Sequence, residues 1–420
     1  MNAERRCAWG RAAVLLALGI AVAGCDRIKE EGIENGALYR VSSGETIHVR
    51  RVGTGPVAVL LLPGNNCSGA CFEMLLGLSE SDPGALDGYT LLAFDYRGSG
   101  KSTYKTPIDS LEDFARDFDD VVSQIPGLGA GDAYLVGHSM GFGVAQLMVD
   151  LRSTAYAGAI SLAGIGTRGV RVLFAGSTVG HDPTSGRSYV FGDWAGSLAA
   201  VAFHQRSWFG EERTRETVSN LWNAIVFNDV RALRASTESA DSFGALGAEA
   251  YGRLLEDFLS IRYMPESLYA AHRFNLTDRP LAHTNADGAL VSVSGTDRLD
   301  AFSGKRVLLI KAETDRLGWR GDLVIDDSIT RNTKFDLRSA GADVTAVMIR
   351  PGLGYDHGFP LHHPQETWAL IRWFIEADAI ETEEAEAEAD SALRSILGDG
   401  AFTRYASSER SWELEEHGGF

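Results

Sequence analysis

Six short apolar runs, each closed by turn residues, constrain this chain more than any other feature. They lie at 57–62 (VAVLLL), 90–94 (TLLAF), 133–136 (AYLV), 159–163 (AISLA), 307–310 (VLLI) and 344–349 (VTAVMI). Runs this short and uniformly apolar fit strands buried on both faces, the mark of a parallel sheet covered by helices. Helical spacing appears between several of them. Leu111, Phe114, Phe118, Val121, Val122 and Ile125 recur on one face of 111–125, and 140–151 and 323–340 follow the same period. Strand and helix in alternation predict an α/β fold with a mostly parallel central sheet flanked by helices.

The alternation breaks after the sixth strand and resumes at Lys305. The intervening stretch reads as helical and aromatic, and an insertion there is expected to form a large helical cap over the sheet edge. The organisation is therefore a first core half at 38–164, a cap insertion at 165–304, a second core half at 305–378 and an acidic tail at 379–420. Most cap aromatics are expected to form the cap's own core; Trp208 and Phe209 are the pair expected to face an apolar pocket. No internal repeat is visible.

With 57 acidic against 39 basic residues, the net charge is −18. That sign argues against nucleic acid as a partner and against an electrostatic grip on an anionic membrane. Residues 376–420 carry 13 acids and 3 bases, so the body is only mildly acidic. The run 381–390 (ETEEAEAEAD) reads as a solvated helix or as disordered chain.

The first 24 residues read as an export signal. Arg5, Arg6 and Arg11 precede an apolar run at 12–24 that is too short to span a bilayer. The run ends Val22-Ala23-Gly24-Cys25, which resembles the bacterial lipobox. The resemblance implies that Cys25 becomes a lipidated N-terminus, followed by a linker at 25–37, and that the protein is anchored on the extracytoplasmic, periplasmic side of a membrane. Asp26 resembles the inner-membrane retention signal of some such lipoproteins. Cys7 is lost with the signal. Cys67 and Cys71, outside the cytoplasm, are free to form a disulfide or to remain thiols; two cysteines are too few for a structural zinc site.

The sharpest motif is Gly137-His138-Ser139-Met140-Gly141, a G-x-S-x-G between an apolar run and a helical stretch. A serine on so tight a strand-to-helix turn needs small neighbours two residues away on each side, and Gly137 and Gly141 supply them. Its hydroxyl then stands at a helix N-terminus, where negative charge is favoured.

From this point the chain resembles the alpha/beta-hydrolase superfamily, over roughly 40–164 and 303–377. The 60–65 segment (LLLPGN) sits where the family has a strand and a glycine turn, which implies an oxyanion hole from the backbone N–H groups of Asn65 and Met140. The 94–102 segment (FDYRGSGKS) resembles a structural turn of the family, with Asp95 and Arg97 shaping a loop. The GSGKS within it imitates a phosphate-binding loop, but the glycine that motif needs is Asp95 here. The family order of serine, acid, histidine implies His357 as base, after the run at 344–349 and before Pro364. It implies Asp315 as the orienting acid, with Glu313 as the alternative. Lys311 stands where the family often has glycine. Asp356, His362 and His363 are read as surface residues of the loop. The resemblance implies a Ser139–His357–Asp315 serine hydrolase forming an acyl-enzyme, most simply on a small apolar carboxylic ester, with no cofactor or metal. A peptidase of the aminopeptidase type and a non-catalytic lipoprotein binding module are the alternatives; the oligomeric state is open.

Overall fold

The computed structural model describes residues 36–405, apart from position 66, parts of the stretches 170–294 and 314–326, position 352 and residues 378–382. Its centre is a nine-stranded sheet. The strands in chain order are β1 Ala37–Arg40, β2 Thr46–Val52, β3 Val57–Leu62, β4 Tyr89–Phe94, β5 Ala133–His138, β6 Tyr156–Leu162, β11 Arg306–Ala312, β12 Asp343–Ile349 and β13 Phe402–Tyr405. Their order across the sheet is β1-β2-β4-β3-β5-β6-β11-β12-β13.

The six apolar runs are the six parallel strands, from β4 to β12 in that order. Every residue of β4 is buried, and β3, β11 and β12 are buried after their first residue. The remaining strands are antiparallel additions at the two edges: β2 pairs with β4, β1 with β2, and β13 with β12. β1 alternates half-buried with exposed residues, as an edge strand with one wet face does.

Helices cover both faces. Helix α1, Leu111–Gln124, begins at a Ser110 capping box with Asp113 and buries Leu111, Phe114, Phe118, Val121 and Val122. Helix α2, Met140–Leu151, starts at the end of β5 and is buried from Met140 to Val149, so it runs through the core rather than over it. Helices α3, Asp327–Ser339, and α4, Pro364–Glu376, complete the layers.

Two regions differ from the sequence reading. The insertion holds, among its described residues, two antiparallel ribbons: β7 Val179–Asp182 with β8 Arg187–Val190, and β9 Leu281–Thr284 with β10 Leu290–Val293. It is therefore not wholly helical. Both of its roots are pinned to the core by arginine–carboxylate pairs. Arg168 meets Asp336 of α3 at 2.7 Å, and Arg298 donates to Asp150 of α2 at 2.7 Å and to Glu112 of α1 at 2.9 Å. The acidic tail, in turn, joins the fold. Helix α5, Glu383–Leu397, turns Ala389 and Leu393 inward, and β13 behind it closes the β12 edge. Closing that edge satisfies a row of backbone groups that would otherwise invite pairing with another chain. Among the described residues no helix is long and apolar enough to cross a membrane. Residues 1–35, with Cys25, lie outside the described residues, as do Trp208 and Phe209.

Candidate active site

The site is built on the junction of β5 and α2. Ser139 takes φ 52° and ψ −121°, a left-handed conformation that non-glycine residues rarely adopt. The surroundings force it there. A Cβ on Gly141 would stand 2.1 Å from the Leu62 carbonyl oxygen, and one on Gly137 2.4 Å from the Phe142 nitrogen. The glycines are thus required by the close approach of β3 and of the first turn of α2, as the motif implies. Backbone bonds lock the turn: Ser139 N–H donates to the Leu162 carbonyl, and the Ser139 carbonyl accepts from Phe142 and Ile165.

His357 follows β12 on a short loop and is 5% exposed. Its Nδ1 lies 3.1 Å from Oδ1 of a fully buried carboxylate, Asp322. Asp315, the expected acid, lies outside the described residues; among the described residues the carboxylate that meets His357 is Asp322. Glu313, the alternative, is half-buried and its backbone N–H pairs with the Ile349 carbonyl. Asp322 is placed by its own backbone N–H, which donates to the Ala312 carbonyl at the end of β11, and by the Ile325 N–H, which donates to Oδ1. Burial opposes its charge, but the neighbouring charges of His357 and Lys311 outweigh burial and hold the carboxyl down at about 2. Lys311 is fully buried; its Nζ donates to the same Ala312 carbonyl at 2.9 Å and pairs with Asp327 at 2.7 Å. The lysine that departs from the family pattern is thus an internal counter-charge beneath the acid.

His138, between Gly137 and Ser139, ties this dyad to the elbow. Its Nε2 lies 2.7 Å from the backbone carbonyl of His357, and the two rings stand 4.9 Å apart. The carbonyl only accepts, so His138 carries its proton on Nε2 and donates. Burial, with the His357 charge beside it, lowers the His138 imidazole to about 3, so it stays neutral. Sequence reasoning treated this position as the variable residue of the motif. The signal available was its chemistry: a histidine flanking the serine on a buried strand end has to find a partner.

The glycine turn after β3 faces the serine. A Cβ on Gly64 would lie 3.1 Å from Ser139 Cβ and 2.9 Å from His138 Nδ1. Asn65, expected to supply one oxyanion donor, follows directly, and Met140, expected to supply the other, is the first residue of α2, next to Ser139. A disulfide joins Cys67 to Cys71 just beyond, both buried, around the short helical turn Gly69–Phe72 that Ser68 caps. That turn is held by Asp95, whose Oδ1 accepts from Gly69 N–H and whose Oδ2 accepts from Lys101 N–H and lies 2.7 Å from His48 Nδ1. Arg97 pairs with Asp117. Both residues shape loops, as expected. A Cβ on Gly100 would fall 2.2 Å from Asp95 Oδ2, so a carboxylate occupies the place where a phosphate-binding loop would hold phosphate.

Asp356, His362 and His363 are not plain surface residues. Asp356 is 5% exposed, accepts from Gly358 N–H and pairs with His362 at 3.1 Å; burial raises its carboxyl despite that partner. His363 stacks on Tyr355. They brace the loop that presents His357. Among the described residues no cluster of three or more His, Cys, Asp or Glu side chains is arranged for a metal ion.

Residues 59–370 match the model of the "Alpha/beta hydrolase family". Among solved structures, the chain is similar to an esterase from Rhodococcus sp. ECU1013 at 21% identity, covering 81% of this chain and 98% of that one with a TM-score of 0.52. It is similar to a bromoperoxidase from Bacillus anthracis at 16% identity, 81% and 100% coverage and a TM-score of 0.54. An esterase from Exiguobacterium antarcticum is 14% identical over 81% and 99% of the two chains, with a TM-score of 0.52. These likenesses establish the fold. No curated protein matches the chain.

Proposed function

The chain belongs to the alpha/beta hydrolase family, and from that premise we propose that it hydrolyses a carboxylic ester through Ser139, His357 and Asp322. The carrying observation is the His357–Asp322 dyad, bonded through His138 to the strained turn that bears Ser139. Asp322 fixes the His357 proton on Nδ1 and leaves Nε2 as the base. In the reaction Nε2 takes the Ser139 proton as Oγ attacks the acyl carbon. The backbone N–H groups of Asn65 and Met140 hold the oxyanion. The C–O bond then breaks, and the alcohol leaves with the proton from His357. Water, deprotonated by the same imidazole, releases the acid and restores the serine.

A small acyl substrate suits this fold, which the esterase neighbours share. The test is turnover of a panel of p-nitrophenyl esters by the wild-type chain and by Ser139→Ala. Ester cleavage that the variant loses supports the reading. Equal rates in both, or cleavage of peptides alone, would replace it.

A further inference from the structure

One polar atom beside the elbow has no partner among the described residues: the side-chain Nδ2 of Asn65, which is buried. The other end of the same amide is held, since Oδ1 accepts from the Ser267 hydroxyl at 2.6 Å and Ser267 is wholly buried in the insertion. With the amide oxygen at the Ser267 hydroxyl, the NH2 group lies at the other end of the amide. A buried amide donor left without an acceptor is costly, and folded proteins seldom retain one. Here it sits one residue beyond Gly64, where an added Cβ would lie 3.1 Å from Ser139 Cβ. The arrival of an acyl oxygen at Ser139 would supply the acceptor that this donor lacks.

We propose that the Asn65 side-chain amide donates a hydrogen bond to the acyl oxygen of bound substrate, beside the backbone donors of Asn65 and Met140, and that Ser267 of the insertion holds it in place. The inference rests on the serine-hydrolase reading above. It makes the oxyanion hole a joint product of core and insertion, because the third donor is positioned only while Ser267 is docked.

The experiment pairs a p-nitrophenyl ester with its thionoester counterpart, in which sulfur replaces the carbonyl oxygen. Sulfur is a weak hydrogen-bond acceptor, so loss of a donor to this atom slows the oxoester more than the thionoester. Removal of an oxyanion donor typically lowers kcat by about a hundredfold or more. Asn65→Ala is expected to lower kcat on the oxoester by about that factor and the oxoester/thionoester ratio at least tenfold. Ser267→Ala, which keeps the donor and frees its anchor, is expected to move both in the same sense but less. Should Asn65→Ala fail to fold, Asn65→Asp keeps the acceptor for Ser267 without the NH2 group and carries the same comparison. An Asn65 variant that slows both esters by one factor, or leaves the ratio within twofold, overturns the inference while Ser139-dependent turnover stands. A wild-type chain inert on both esters overturns it together with the proposed function.

Discussion

The hydrogen bond between His357 Nδ1 and Asp322 Oδ1 decides which imidazole nitrogen is free to act, so the largest effects at the residue scale belong to these two side chains. Asp322→Asn presents an amide where a carboxylate is needed, and the wrong tautomer or orientation follows. In triads built this way that change costs about four orders of magnitude in kcat. Asp315→Ala is expected to keep kcat within a few-fold of wild type. Steady-state kinetics of the two variants check this, and the reverse ranking would return the role to Asp315. The sequence offers Glu313, Asp315, Asp322, Asp326 and Asp327 between β11 and the first turn of α3. The strand-to-helix connection is long, and no period or turn signal ranks five carboxylates within it. What separates Asp322 is packing: the Ala312 carbonyl that its N–H meets, the Ile325 N–H on Oδ1, and the Lys311 ammonium buried below. By contrast, Ser139 was legible because its strain needs glycines on both sides, and His357 because it follows the last parallel strand.

At the scale of elements, the legible strands and the missed ones divide by burial. The six parallel strands are wetted on neither face and so show as continuous apolar runs. β1 and β2 carry mixed patterns, and β13 is four residues of Phe, Thr, Arg and Tyr behind an acidic run. The packed face of α5 is as narrow, with Ala389 and Leu393 one turn apart, and charge conceals it. The Cys67–Cys71 disulfide, left open by the sequence, closes the segment that follows the glycine turn after β3. A crosslink there limits how far the backbone of Asn65 can drift from the serine, and misplacement of about 1 Å can cost a hundredfold in rate. Reduction under native conditions, or the Cys67→Ser/Cys71→Ser double variant, is expected to lower kcat several-fold or more, with a smaller change in KM. Unchanged kcat on full reduction, confirmed by thiol counting, removes this role.

Over the whole molecule, the neutral His138 couples catalytic order to stability. Its imidazole stays neutral in the fold down to about pH 3, whereas an unfolded histidine titrates near 6.5. Between those values the unfolded chain binds a proton that the folded chain refuses. Stability from this site is full above about pH 6.5 and is lost as the pH falls, at about 1.4 kcal/mol per unit through the window. Asp322 acts with the same sign lower down, since its depressed carboxyl stabilises the fold until the pH falls toward about 2. Denaturant titrations from pH 8 to pH 5 should show falling stability in wild type and a flatter profile in His138→Gln; equal slopes would remove His138 as the cause. The targeting segment belongs to this scale too. We propose that Cys25 carries lipid and holds the enzyme at a membrane, so that Cys25→Ala moves it to the soluble fraction; an unchanged membrane share would count against an anchor.

A fluorophosphonate added to the chain from Asp26 onward, read by intact mass and peptide mapping, tests whether Ser139 is an activated nucleophile. One adduct on Ser139, absent from Ser139→Ala and strongly slowed in Asp322→Asn, is the predicted result. A folded wild-type chain that takes up no adduct, or takes it up elsewhere, would contradict the claim and leave a binding module on a hydrolase fold.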